Sequence, residues 1–353
     1  MTTKKLQTFY QGKKVLVTGI HGFKGCWLAL LLKELGAEVV GVGLKAEDNL
    51  LFDILDFDEL GIKSTVLDIR DPKFIAFVTE VNADVVFHLA AQPIVSVGYS
   101  DPYLTYSTNV MGTVNLLEGI RLQSSFCSVV NVTTDKVYMD ANKSEPYVET
   151  DTLMGLDPYS SSKSCSELVT FSYVKSYFQQ EGHKIVSTCR AGNVIGGGDF
   201  SLDRIIPDMA RALKAGAFVR IRNYDSTRPY QHVLDAVYGY ALLGCVQYSE
   251  PNTAGSYNIG PDTETILQTR DLVGFFQEKA PLKVIDESAA SSFHETKFLT
   301  LDSSKFRTTF GWRPTWGNKN AMLERTFSWY DEWMEGSNMR AYTQRQVREF
   351  LDD

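Results

Sequence analysis

No stretch of the 353-residue chain is apolar for long enough to span a bilayer; the longest candidate run, Cys26 to Leu32, is far too short. Clusters of basic residues are missing too. Lys and Arg number 35 against 43 Asp and Glu, a net charge of −8. That balance repels phosphate backbones and anionic lipid, so nucleic acid and membrane surfaces are excluded as expected partners. The N-terminal MTTKKLQTFYQGKK is polar and has no apolar signal-peptide core. Cysteine is scarce: Cys26, Cys127, Cys165, Cys189 and Cys245 are odd in number and form no C-x-x-C pair. Such scattered thiols argue against a disulfide framework or a zinc site and fit a reducing, cytoplasmic setting. No His, Cys or carboxylate cluster has metal-ligand spacing, so no metal is expected.

What is present is ordinary for a globular chain, 44% hydrophobic and 22% charged. The length suits two domains, or one large α/β unit with an appended lobe. The first half alternates short β-branched runs with helical stretches. Strands are expected at Val15–Val17, Glu38–Val42, Thr65–Leu67, Asp84–Leu89, Ser128–Thr133 and Ile185–Cys189, with helices over Ser107–Leu122 and Ser160–Gln180. A further helix runs through Trp27, Leu28, Leu31, Leu32 and Leu35, closed by Gly36. Strict alternation implies right-handed βαβ crossovers and a doubly wound parallel sheet covered on both faces. After Arg190 the texture changes: Gly196-Gly197-Gly198 and a loop-rich stretch to Pro229 break the alternation. The expectation is a Rossmann-type dinucleotide-binding domain over residues 1–190. Residues 191–353 form a smaller α/β substrate lobe, with some segments returning to the first domain.

Gly19-Ile20-His21-Gly22-Phe23-Lys24-Gly25 follows a strand and opens a helix. Glycines there let the backbone approach a pyrophosphate, and the helix N-terminus offers unpaired N–H groups and partial positive charge. The alternative is a tight strand-to-helix turn with no ligand. Val42-Gly43-Leu44 ends the second strand without the acid that usually holds ribose hydroxyls, and without an Arg for a 2′-phosphate, which leaves NAD against NADP open. Farther on, Tyr159 and Lys163 stand four apart, a spacing that puts both on one helix face. A Lys ammonium beside a phenol favours phenolate, making a base of a group whose free pKa is near ~10. A strand ending Val132-Thr133-Thr134 precedes them, and Asp135-Lys136 follows at once.

The G-x-x-G-x-x-G spacing and the Thr134–Tyr159–Lys163 set resemble the extended short-chain dehydrogenase/reductase superfamily. Asp135-Lys136 sits where its nucleotide-sugar 4,6-dehydratase branch carries an acid–base pair, and the Asp-Lys form resembles the CDP-glucose members. Gly22–Leu28, Ala90–Pro93, Tyr106–Thr113, Arg190–Asp199, Asp203–Pro207 and Arg228–Val233 also look like that branch, so the resemblance covers about Gly12 to Trp333. Leu153-Met154-Gly155-Leu156 departs from it, since a more glycine-rich loop is expected ahead of Tyr159.

The resemblance implies NAD, tightly bound and regenerated each turnover, a CDP-sugar substrate, a role in deoxysugar biosynthesis, and a homodimer joined through the helices at Ser107–Leu122 and Ser160–Gln180. It implies catalytic roles for Thr134, Asp135, Lys136, Tyr159 and Lys163. Tyr159 would take the C4 hydroxyl proton and Asp135 would protonate the oxygen leaving C6. Lys136, its pKa lowered by burial and by Lys163, would remove the C5 proton or else orient Asp135. Cofactor contacts are expected from Gly19, His21, Gly22, Phe23, Lys24, Gly25, Asp68, Ile69, Leu89, Ala90, Ala91, Thr108 and Thr133, together with Tyr159 and Lys163. For Asp68 a strand-terminating role is the alternative. Substrate contacts are expected from Gln92, Asn193, Arg204, Arg228, His232 and His294; surface ion pairs are the alternative for the arginines, and structural roles for the histidines. Other nucleotide-sugar dehydratases, a 4-epimerase and a non-catalytic nucleotide sensor are the competing readings.

Overall fold

The computed structural model describes residues 3–45, 50–140, 145–261, 265–287 and 299–353. Among them run the strands β1 (Lys14–Thr18), β2 (Glu38–Gly43), β3 (Lys63–Val66), β4 (Val85–His88), β5 (Cys127–Val132), β6 (Lys184–Ala191), β7 (Asn193–Ile195), β8 (Phe218–Ile221), β9 (Thr227–His232), β10 (Ser256–Ile259), β11 (Ile266–Gln268) and β12 (Lys283–Asp286). Seven of them make one sheet in the order β10-β6-β5-β4-β1-β2-β3, with every neighbouring pair parallel. Parallel strands need crossovers, and the helices that supply them cover both faces. The chain leaves β1 in one direction and later resumes on its other side at β4, so a crevice opens at the carboxyl ends of β1 and β4. Smaller sheets, β11-β9-β7 and β12-β8, lie in the second half.

Burial explains the strand sequences. All residues of β4 and β5 are buried, which is why they read as continuous apolar or small runs rather than alternating ones. On one face, Phe74, Val78, Leu116, Leu117, Ile120 and Phe178 pack against Leu16, Val86 and Val129. On the other, the helix Phe23–Glu34 lies beside Val233–Ser249, a helix buried nearly all round. Strand β10 joins the sheet beside β6, with Asn258 and Arg190 facing each other in the register.

The helix expected from Ser107 starts earlier, at Pro102, because Asp101 caps it by accepting the Leu104 N–H at 2.8 Å. It passes through a π-helical turn, Ser107–Met111, before Gly112–Leu122. The helix carrying Tyr159 starts at Pro158, capped by Asp157, and ends its regular part at Tyr173. Gly36 closes the Phe23–Glu34 helix at φ +89°, as a left-handed cap requires. Expected strand Thr65–Leu67 is displaced to Lys63–Val66, where β3 forms the sheet edge and all four side chains are exposed. Among the described residues, no helix is long and apolar enough to cross a membrane.

Candidate active site

The turn after β1 is shaped by contacts that only glycine allows. Gly19 has φ +70°, and a Cβ there would lie 2.7 Å from the Ala90 nitrogen. At Gly25 a Cβ would collide with the Gly19 carbonyl oxygen, so glycine is what lets the helix pack this close to the turn. Gly22 is the N-cap and supplies no side-chain cap, so the opening N–H groups of Phe23–Glu34 face outward for an anion. Ala90 donates its N–H to Thr18 Oγ1 at 3.2 Å and Leu89 to the Thr18 carbonyl at 3.2 Å, which sets the opposite lip of the crevice beside Ala91. A dinucleotide pyrophosphate fits this cradle, which a single added methyl would close.

The other expected cofactor residues fall around it. His21 is buried against Phe52, 4.3 Å between rings, at the Gly43-Leu44 end of β2; burial holds its imidazole below the usual pKa. Asp68 is gripped by Arg70, Nε to Oδ2 2.9 Å, which keeps its carboxyl below the ordinary range. Ile69 is buried against Gly112. Thr108 lies in the π-helical turn, and the neighbouring Asn109 bridges the Gln92 backbone and Ser162 Oγ. Asn109, within the Tyr106–Thr113 block, thus locks the loop after β4 to the helix bearing Tyr159 and Lys163.

The expected reactive residues converge. Thr134 Oγ1 donates to Asp135 Oδ1 at 2.9 Å and shares a hydrogen bond with the Tyr159 phenol. Asp135 is only 6% exposed, and burial pushes its carboxyl above the usual carboxylate range despite Lys136, Lys24 and Arg228. Lys163 donates to the Val132 carbonyl at 3.1 Å, and burial, with Lys24 nearby, lowers it to about 8. Two expectations need correction. Tyr159 is pushed up to about 12 rather than lowered, because desolvation of the buried phenolate outweighs the favourable Thr134 and Arg204 interactions. Lys136 is exposed and is not among the charges acting on Lys163. The lysine that is brought to Lys163 and Asp135 is Lys24, lowered to about 8 by burial and by Arg204.

Arg204 and Arg228 reach this site from the second half. Arg204 pairs with Asp199 at 3.0 Å and acts on Tyr159 and Lys24, while Arg228, at the start of β9, acts on Asp135. Asn193 opens β7 beside Gly192, where a Cβ would come within 3.3 Å of Asp135 Oδ2. The loop Gly196–Asp199 docks on the cradle helix through Trp27 Nε1 and the Gly197 carbonyl, 2.9 Å apart. Gln92 differs from expectation: its amide donates to Thr105 and accepts from the Ile94 N–H, so it shapes the loop. His232 is also displaced from the substrate role. It is wholly buried between Trp27 and Trp316, caps Val233–Ser249 through Nδ1, and falls to about 3 by burial. His294 lies outside the described residues. Among the described residues, no cluster of His, Cys, Asp and Glu could hold a metal.

A model of the GDP-mannose 4,6 dehydratase family matches residues 16–324. The chain belongs to that family. A CDP-glucose 4,6-dehydratase of Salmonella typhimurium is 39% identical, covering 98% of each chain. A UDP-glucose 4-epimerase of Halalkalibacterium halodurans is 24% identical over 91% of this chain and 97% of its own. Among solved structures, the epimerase Mth375 of Methanothermobacter thermautotrophicus superposes with a TM-score of 0.79 at 23% identity, covering 95% of this chain and 97% of that one. The Thermus thermophilus UDP-glucose 4-epimerase, in complex with NAD, gives 0.73 at 24% identity over 90% and 99%.

Within this dehydratase family member, reasoning from sequence missed the reach of Lys24 into the reacting centre. A basic residue amid the Gly22–Gly25 turn, on the first turn of the cradle helix, was the available signal.

Proposed function

We propose that the protein removes water from CDP-D-glucose to give CDP-4-keto-6-deoxy-D-glucose, a step in deoxysugar biosynthesis. The observation that carries this is the convergence of Thr134, Asp135 and Tyr159 in one buried site, with an acid whose carboxyl is raised beside the phenol. Oxidation at C4 alone needs only Thr134, Tyr159 and Lys163; an acid bonded to Thr134 supplies the further proton transfer of elimination. The choice of CDP and glucose is supported by the Salmonella relative.

Thr134 and Tyr159 hold the sugar 4-hydroxyl; against the burial that raises the phenol, Lys163 and the positive charge of a bound nicotinamide would favour phenolate, and Tyr159 takes the hydroxyl proton. Gly19–Gly25, Leu89–Ala91 and Lys163 would hold NAD+, which would supply hydride acceptance from C4 and hydride return to C6. The C4 ketone acidifies the C5 hydrogen. Lys136 removes that proton while Asp135 protonates the hydroxyl leaving C6 as water. As hydride returns to C6, the base gives its proton back to C5, and the proton taken by Tyr159 makes good the one Asp135 gave up, so the atoms balance as the loss of one water and the cofactor is regenerated. Arg204, Arg228 and Asn193 take the diphosphate and sugar.

The chain works in the cytoplasm as a homodimer, with residues 1–190 serving the cofactor and 191–353 mainly the nucleotide sugar. Support for the dimer comes from Met111, Leu122, Leu168, Phe171 and Tyr177, exposed apolar residues on two adjacent helices joined by Tyr173 and Glu118 at 2.7 Å. The testing experiment is mass spectrometry of the nucleotide product after incubation with NAD+ and CDP-glucose, alongside UDP-, dTDP- and GDP-sugars. Loss of one water from CDP-glucose alone supports the reading. Unchanged mass with every donor refutes dehydration and directs attention to inversion at C4, read by NMR.

A further inference from the structure

Glu167 stands one helical turn beyond Lys163, as Lys163 stands one turn beyond Tyr159, so the three share a helix face. Its carboxylate is 3% exposed, yet it is not left bare. Oε1 accepts Thr133 Oγ1 at 2.6 Å and Arg190 Nε at 3.0 Å; Oε2 accepts Thr188 Oγ1 at 2.6 Å and Arg190 Nη2 at 3.0 Å. Arg190 goes on to Tyr138 Oη at 2.9 Å and to the Glu149 carbonyl at 3.1 Å, and Tyr138 donates to Asn258 Oδ1 at 2.6 Å. One buried carboxylate therefore joins the ends of β5 and β6 to the helix of Tyr159 and Lys163. The Thr133 it holds sits between Val132, whose carbonyl receives Lys163, and Thr134, which bonds Tyr159.

We propose that Glu167 is a positioning residue for the reaction: it registers the Val132–Thr134 strand end to the helix face of Tyr159 and Lys163 and supplies the negative charge facing Lys163. This rests on the assignment of Tyr159 and Lys163 as the reacting pair. A purely packing role would not require a charge, and a buried ion pair is often no more stabilising than an apolar pair of equal volume. The groups facing Lys163 are Lys24 on the cradle helix, Tyr159 and Glu167 on its own helix, and His88 at the end of β4. Burial and Lys24 push Lys163 down; of these groups Glu167 is the one that pushes it up. His88 is held neutral by burial, bonded to Thr18 Oγ1 at 2.7 Å, and adds no charge of its own at working pH.

The test compares Glu167→Gln, Glu167→Asp and wild type in kcat and KM from pH 6 to 9, with NAD+ binding measured by calorimetry at each pH. In Glu167→Gln, kcat at pH 8 falls about ten-fold while KM for the nucleotide sugar stays within about three-fold. The descending alkaline limb moves down by about one unit, because Lys163 loses its proton earlier. Glu167→Asp keeps the charge and restores the limb. If Glu167→Gln does not fold, the double variant Glu167→Gln/Arg190→Met removes both buried charges and must show the same shift. A limb at its wild-type position in the folded variant overturns the proposal, as does a rise in KM without a fall in kcat. Tyr159→Phe runs alongside: if it retains activity, the reacting-pair assignment fails, whereas its inactivity with an unmoved Glu167→Gln limb refutes the positioning role alone.

Discussion

Asp235 offers a stability prediction that can be worked out from its surroundings. It lies in the first turn of the helix Val233–Ser249, only 1% exposed. Oδ1 accepts the Thr315 N–H at 2.6 Å and the Trp316 N–H at 3.3 Å, while Oδ2 has no partner. Desolvation raises the carboxyl to about 7 against these two bonds. A carboxyl whose pKa is higher in the fold than in the unfolded chain stabilises the fold when protonated, and this is lost as pH rises through about 7. Between about pH 6 and about pH 8.5 the folded carboxyl gives up its proton while the unfolded one, near ~3.9, has none to lose. Integration over that interval gives a loss of about 1.4 kcal/mol. Asp235→Asn keeps an acceptor for Thr315 and does not titrate. At any single pH the variant bears a cost, on the order of 1–3 kcal/mol, for an amide N–H placed where Oδ2 has no partner. That cost is independent of pH, and the titrations of His88 and His232 are common to both proteins. The expected outcome is that the stability of Asp235→Asn relative to wild type improves by about 1.4 kcal/mol from the lower to the higher pH. Urea unfolding followed by tryptophan fluorescence reads it, Trp316 lying on the bond concerned. A gap constant to within about 0.3 kcal/mol would refute the argument that this carboxyl is driven to titrate near neutrality.

Other consequences follow from single contacts. Gly19→Ala introduces a Cβ 2.7 Å from the Ala90 nitrogen at φ +70°, so NAD+ affinity measured by calorimetry is lost and the fold is weakened by at least ~1 kcal/mol. Gly192→Ala presses within 3.3 Å of Asp135 Oδ2; kcat for dehydration drops about ten-fold with KM little changed, and an unaltered kcat would show that Asp135 is not the acid. Lys136→Met abolishes uptake of solvent deuterium at the product's C5 while leaving NAD+ binding intact; retained deuterium uptake would transfer the base role to Lys24. Leu168→Glu with Phe171→Glu yields a monomer by light scattering, and a wild type already monomeric removes the dimer.

Much of this could be read locally. The β1 strand, its glycine turn and the cradle helix are adjacent in sequence, and their chemistry is set by backbone approach, so the residue types alone disclose them. The pair Tyr159 and Lys163 was equally legible, because helix geometry converts a spacing of four into a shared face. Protonation was not. Whether a lysine is lowered or a tyrosine raised depends on how much water the fold removes, which is why Lys136 proved exposed and Lys24 partly covered and lowered, and why burial raises Tyr159. Gln92 and His232 were displaced from substrate roles for a related reason. The Gln92 amide is taken up by Thr105 and Ile94, and His232 is wholly buried with its Nδ1 capping Leu234, partners fixed by loop and cap geometry.

The alternating βαβ order, the glycine turn after β1 and the shared helix face of Tyr159 and Lys163 were legible in the residues alone, because each depends on neighbours within a few residues. Only the tertiary structure decided that β10 completes the sheet beside β6, that Arg204 and Arg228 arrive at Asp135 and Tyr159 from the second half, and that Glu167 meets Arg190. Those pairings join residues tens of positions apart or more, and no local preference records them; they arise where burial leaves a charge or a strand edge that only a distant partner can satisfy.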